Sequence, residues 1–283
     1  MKTLAFTVLI IATSIMNISA QNSCCLSDDS QAKFAMLGEN ESFRVEHEIP
    51  EPFVLEDPKG NMIQFPTGGN LKGNAYFIAA DKKSDKYLFV LHEWWGLNDH
   101  IKKEADRYHE LFKGGVNVIA LDIYDGKVAD NREDAAKYMK GAGIDRNREI
   151  INGAIAYAGK DAKIATIGWC FGGGLSLETA ILASSQSIGC VIYYGQPSMD
   201  VSRLRTLNCD VLGIFASLDG WIDHEMVENF RVAMEEAEKG FSFEFFEADH
   251  AFANPSSERY DENAAQMANR MAESYLKKAF GLN

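Results

Sequence analysis

Cys170 stands in the stretch Gly168-Trp169-Cys170-Phe171-Gly172-Gly173-Gly174, directly after the apolar run KIATI. Glycines two residues before and two after it suit a sharp strand-to-helix turn that exposes a nucleophile, because bulk is not tolerated beside such a turn. The alternative is a small buried hydrophobe in a glycine-rich bend. A thiol becomes a strong nucleophile when a base takes its proton and a third group fixes the base. The downstream chain offers both: Asp219 follows the apolar run VLGIFAS, and His250 follows FSFEFFEA. His224, the other downstream histidine, falls in the first turn of an expected helix and reads as solvated surface. Asp223 rivals Asp219, but its place suits a helix N-cap that satisfies the carboxylate locally. Asp219 itself also fits an Asp-Gly turn.

Glu93 ends the apolar run KYLFVLH and precedes Trp94-Trp95-Gly96. A carboxylate there is costly to desolvate unless it has a partner. One physical reason for it is control of the Cys170 thiol, by a hydrogen bond that keeps the sulfur protonated and less open to oxidation; a solvated side chain or turn cap is the alternative. The amides of Phe171 and Trp94 are the expected oxyanion donors, one following the nucleophile and one from a loop after an early strand. Trp94, Trp95, Trp221 and Phe252 are candidate aromatic walls for a planar or cyclic substrate, or core residues. His47, His92 and His100 have no metal-ligand spacing, and no GxGxxG follows a strand, so neither metal nor nucleotide cofactor is expected.

These residues need elements that deliver them to one place. From Lys86 onward, short apolar runs alternate with amphipathic stretches, which predicts strands joined by helices in a mostly parallel α/β sheet. Strands are expected at KYLFVLHE, VNVIALDIY, KIATIG, GCVIYYG, VLGIFAS and FSFEFFEA. The spacing predicts helices from Asn98 or Asp99 to Phe112, over Asn131–Lys140, Asp145–Ala158 and Gly172–Ala183, and near Asp223–Lys239 and Glu262–Phe280. Residues Phe53 to Ala80 suggest an antiparallel hairpin at a sheet edge. Ligands of such sheets meet the carboxyl ends of the strands, where the candidate residues fall.

The 283-residue chain is 46% apolar with a formal charge of −13. That charge repels nucleic acid and anionic membranes, so a small-molecule partner and a monomer are expected. Lys2, the apolar Leu4–Ile18 and the small residues before Gln21 predict a signal peptide over 1–20 and export to the periplasm or medium. The apolar stretch is too short for a stable span, and Gln21-Asn22-Ser23 fits lipid anchoring at Cys24 poorly. A polar leader is expected over 21–50, followed by one catalytic domain over 51–283. Export makes a Cys190–Cys209 bridge a possibility, with buried free thiols the commoner case.

Taken together, LHEWWGLNDHI, DIYDG, GWCFGGG, SLDGWID and DHAFANP, in that order, closely resemble the dienelactone hydrolase family over roughly Gly60 to Phe280. The resemblance implies an α/β-hydrolase fold with helices on both faces of the sheet. It implies a Cys170-His250-Asp219 triad, with Glu93 interacting with the resting thiol. The family's reaction opens a lactone through an acyl-cysteine intermediate, in a substrate bearing a free carboxylate. Of the two arginines that bind that carboxylate, Arg132 fits the first position and Asn254 stands at the second. An exported hydrolase of a small ester or lactone is the leading expectation. A thiol peptidase, or a non-catalytic binding protein on the same scaffold, stays open beside it.

Overall fold

The computed structural model describes residues 30–282. The expected signal peptide, and Cys24 and Cys25, lie outside the described residues. The chain forms an eight-stranded sheet in the order β1-β2-β4-β3-β5-β6-β7-β8. Its strands are β1 (Asn61–Phe65), β2 (Gly73–Ile78), β3 (Lys86–Leu91), β4 (Asn117–Asp122), β5 (Lys163–Trp169), β6 (Ser187–Tyr193), β7 (Val211–Ala216) and β8 (Phe241–Phe246). β1 and β2 make the expected antiparallel edge hairpin, β2 joins β4 antiparallel, and the remaining pairs are parallel. β4 and β7 are buried at every position, as strands covered on both faces must be.

Helices connect the strands: α3 (Asp99–Leu111), α4 (Arg132–Ala142), α5 (Ile144–Ala158), α6 (Phe171–Ala183), α7 (Val201–Leu204), α8 (His224–Glu236) and α9 (Glu262–Ala279). Side chains of Asn98, Asn131, Asp223 and Asp261 accept amide hydrogens at the starts of α3, α4, α8 and α9, satisfying donors that a helix start leaves unpaired. Consecutive residues of β6 show how the layers lie. Gly189 faces Tyr275 and Ala279 of α9, whereas the Cys190 sulfur lies 3.5 Å from Ser176 Oγ of α6. Neighbouring strand residues point to opposite faces, so α6 and α9 cover opposite sides of the sheet.

The N-terminal stretch read from sequence as a polar leader carries two further helices, α1 (Ser30–Leu37) and α2 (Glu41–Glu46). α1 packs on α4 and α6, and α2 on α4. Phe34 and Phe43 anchor them with edge-to-face ring contact at 5.7 Å, and both are buried. Cys190 and Cys209 are free thiols, each beside a serine hydroxyl. Among the described residues no helix is long and apolar enough to cross a membrane.

Candidate active site

β5 ends at Trp169, and the chain turns at Cys170 with φ 56° and ψ −121° before α6 begins. A non-glycine residue in that region is strained and persists only where its surroundings dictate it. Here the Cys170 amide donates to Tyr193 O at 3.0 Å, and Gly173 N donates back to Cys170 O at 2.9 Å. The flanking glycines are obligatory for closeness. A Cβ on Gly168 would stand 2.0 Å from Gly172 O, and one on Gly172 would stand 2.3 Å from Leu91 O.

Because β7 and β8 follow β6 in the sheet, Asp219 and His250 come to the same end as the elbow. His250 Nδ1 donates to Asp219 Oδ2 at 2.6 Å. The other carboxylate oxygen accepts Trp221 N at 2.8 Å and Ile222 N at 3.0 Å, which fixes the aspartate. With Nδ1 committed to Asp219, Nε2 is the His250 nitrogen left for proton transfer; it has no hydrogen-bond partner among the described residues. Burial opposes charge on His250, but the Asp219 carboxylate and the neighbouring sulfur outweigh it and hold the ring well above the ordinary histidine range. Burial in turn pushes the Cys170 thiol up, while His250 and the Phe171 amide, which faces the sulfur, work against that rise.

Glu93 lies just past β3, next to the elbow as expected, and is 8% exposed. Its Oε2 accepts Asn254 Nδ2 at 2.6 Å. The expected hydrogen bond to the thiol is therefore replaced by one to Asn254, whose amide is a ready neutral donor. Burial raises the Glu93 carboxyl to about 7, with His250 and Asn254 offsetting part of the rise. Its neighbour His92 is structural: Nδ1 donates to Glu93 O at 2.6 Å and Nε2 accepts Ile123 N at 3.2 Å. Asp122, in the DIYDG motif, likewise accepts Tyr124 N and Gly126 N to shape the adjoining loop.

The residue that sequence reasoning missed is His47. It follows α2, is 123 positions from Cys170, and brings Nε2 to 3.6 Å from the sulfur. Its Nδ1 donates to Phe43 O at 2.7 Å, so Nε2 is the acceptor and the thiol can donate to it. The ring packs 4.6 Å from Trp94 and 5.0 Å from His250. Burial, reinforced by His250, lowers the His47 ring to about 3 and keeps it neutral. A polar stretch with one histidine gives no periodic signal from which this could be read; only the buried Phe34 and Phe43 hint at docking.

The candidate substrate-binding residues divide. Trp94, Trp95, Glu93 and Asn254 line a small cavity of about 10 Å³ at Cys170, closed on one side by His47. Glu93 and Asn254 also border a second cavity of about 100 Å³, together with Trp169 and Tyr260. Arg132 lines neither of these cavities: its Nε donates to His47 O at 2.7 Å and fastens the N-terminal segment. Trp221 turns its Nε1 to Glu46 at 2.7 Å and packs on Phe43. Phe252 is core, packed on Tyr194 and Phe246. Cys170 is 1% exposed, so the described state is closed. The cavity at the sulfur has room for about one water.

An eight-stranded, mostly parallel sheet with a strained strand-to-helix turn after its fifth strand and an Asp–His pair after the last two defines an α/β-hydrolase. The dienelactone hydrolase family matches residues 74–280. The chain belongs to that family, whose members are hydrolases of ester and lactone bonds. "Protein usf" of Aquifex pyrophilus is 29% identical over 236 residues, covering 77% of this chain and 98% of that protein. "Carboxymethylenebutenolidase 1" of Cupriavidus pinatubonensis is 24% identical over 227 residues, covering 74% and 92%. Among solved structures, a dienelactone hydrolase-like promiscuous phosphotriesterase from metagenomic libraries shares the fold with a TM-score of 0.67 at 18% identity, covering 78% of this chain and 99% of that one.

Proposed function

We propose that the protein hydrolyses a small carboxylic ester or lactone by covalent thiol catalysis. The observation that carries this reading is the strained Cys170 elbow beside His250, whose tautomer Asp219 fixes. In that scheme His250 Nε2 takes the thiol proton as Cys170 Sγ bonds to the substrate carbonyl carbon. The Phe171 and Trp94 amides receive the developing oxyanion; a single such donor is worth about 3 kcal/mol of transition-state stabilisation. Collapse breaks the C–O bond, and His250 returns its proton to the leaving alkoxide, giving an acyl-cysteine. Water, deprotonated by His250, then cleaves the thioester and restores the thiol.

In the described state the sulfur has room for little more than a water, so substrate entry in this scheme requires His47 and α2 to lift from the site. Glu93 and Asn254, which border both cavities, are placed to line the route. A neutral amide at Asn254, and an Arg132 already bonded to the N-terminal segment, favour substrates without a carboxylate at that position. The positively charged and then apolar N-terminus supports export, and we take the working unit to be a monomer.

Turnover of small activated esters and lactones by the purified protein tests the proposal. Cys170→Ala and His250→Ala are each expected to lower kcat about 10³-fold or more, with intact-mass spectra showing an acyl adduct on the wild type that Cys170→Ala lacks. Full activity in either variant rejects the mechanism.

A further inference from the structure

We propose that His47, Cys170 and His250 form a binding site for a zinc-class divalent cation, completed when the N-terminal helices carry His47 onto the thiol. One ligand atom from each of these three buried residues lies within 4.8 Å of the other two. Ordinary zinc bond lengths in a tetrahedron set an N···S separation of about 3.6 Å and an N···N separation of about 3.3 Å. The His47 Nε2 to Cys170 Sγ distance is 3.6 Å. The remaining separations need to close by about 1.5 Å at most to reach those values, which is within reach of side-chain rotation.

The outer partners are also those of a metal site. Histidines that bind metals almost always donate the opposite ring N–H to a carboxylate or a backbone carbonyl. His250 does so to Asp219 Oδ2, and His47 to Phe43 O. Both rings thereby leave Nε2 as the atom free to take a metal, already neutral on His47, and His250 Nε2 is otherwise without a partner among the described residues. Two imidazoles and one thiolate are a donor set that suits zinc. The cavity of about 10 Å³ beside His47 and Cys170 offers the fourth position to one water. A hydrolytic Cys–His pair needs only two of these groups; the third comes from the far end of the chain.

Binding balances simply. The thiol proton of Cys170 and any proton on His250 Nε2 leave to solvent as the ion binds, sulfur and two nitrogens donate to it, and no atom changes oxidation state. An ion so held occupies the sulfur and ties α2 down, so occupancy shuts the site and a chelator reopens it. The inference rests on the cluster geometry and stands whether or not Cys170 attacks esters.

The full-length reduced protein is titrated with Zn²⁺ by calorimetry and with Co²⁺ by absorption. The expected result is one ion per chain, a thiolate-to-cobalt charge-transfer band, and the intense visible bands of a four-coordinate ion. His47→Ala and the bulkier His47→Gln, each with its melting curve, are expected to bind Zn²⁺ at least tenfold more weakly, and Cys170→Ser to lose the charge-transfer band. Absence of stoichiometric binding at micromolar Zn²⁺ overturns the proposal. So does a folded His47→Gln with wild-type affinity and cobalt spectrum. Because these readouts need no turnover, an inactive protein that still binds cobalt in this way refutes the hydrolase scheme alone, and an active one that does not refutes the metal site alone.

Discussion

At the scale of single residues, two carboxylates beside one imidazole do different work because their surroundings differ. Asp219 accepts two backbone amides as well as the His250 ring, and although burial opposes its charge, these partners hold it below the usual carboxylate range. Asp219→Asn would offer a donor where the ring now donates, turning the imidazole to the wrong tautomer. Its kcat should fall by about 10⁴-fold, the size such a tautomer error has in serine hydrolases, with little change in melting temperature. Glu93 has one amide partner and a buried site, and its carboxyl rises to about 7 from 4.5. An acid that holds its proton more tightly when folded contributes most below pH 4.5 and loses that contribution as pH climbs to about 7. The loss amounts to about 3 kcal/mol and is constant above that range. Glu93→Gln keeps an acceptor for Asn254 and removes the ionisation, so its melting temperature should gain on the wild type between pH 5 and pH 8. A gap that does not change with pH counts against burial as the cause.

At the scale of elements, the segment that follows α2 covers the thiol, with His47 against the Cys170 sulfur. Phe43 is fully buried and touches Phe34, His47, Trp94 and Trp221, while Arg132 and Trp221 fasten the backbone and Glu46. Phe43→Ala removes the ring that all four pack on. It should destabilise the folded chain by about 3–5 kcal/mol if α2 unfolds with the core, or by less if the segment detaches alone. In either case the rate of Cys170 alkylation under native conditions is expected to rise at least tenfold, read as mass addition over time. An unchanged alkylation rate argues that the sulfur is reached by some other path.

At the scale of the whole molecule, a buried acid holds three helices together. Glu178 of α6 accepts Arg148 of α5 at 3.0 Å and Arg203 of α7 at 2.5 Å, with its own side chain 4% exposed. Removing the anion leaves two guanidinium groups half-buried beside an empty space. Glu178→Ala should therefore lower stability by about 2–3 kcal/mol, less than for a fully buried pair because both arginines keep some water. Urea unfolding measures it: the midpoint should fall while the slope stays the same.

The amino-acid sequence by itself determined the sheet, because strands buried on both faces must be apolar runs and the helices between them must carry one apolar stripe and a cap. It also determined the elbow: glycines at 168 and 172 are there because backbone oxygens leave no room for a Cβ, and that requirement is local. Asp219 and His250 were legible for a related reason, since each directly follows an apolar strand. Contacts between distant segments were not legible. That Arg132 reaches a backbone carbonyl, that Phe252 packs inward, that Glu93 pairs with Asn254, and that His47 meets a thiol 123 residues away depend on how short helices dock. Docking is set by shape, by a few buried rings and by which polar groups are left to satisfy, and none of these repeats along the chain with a period that can be read.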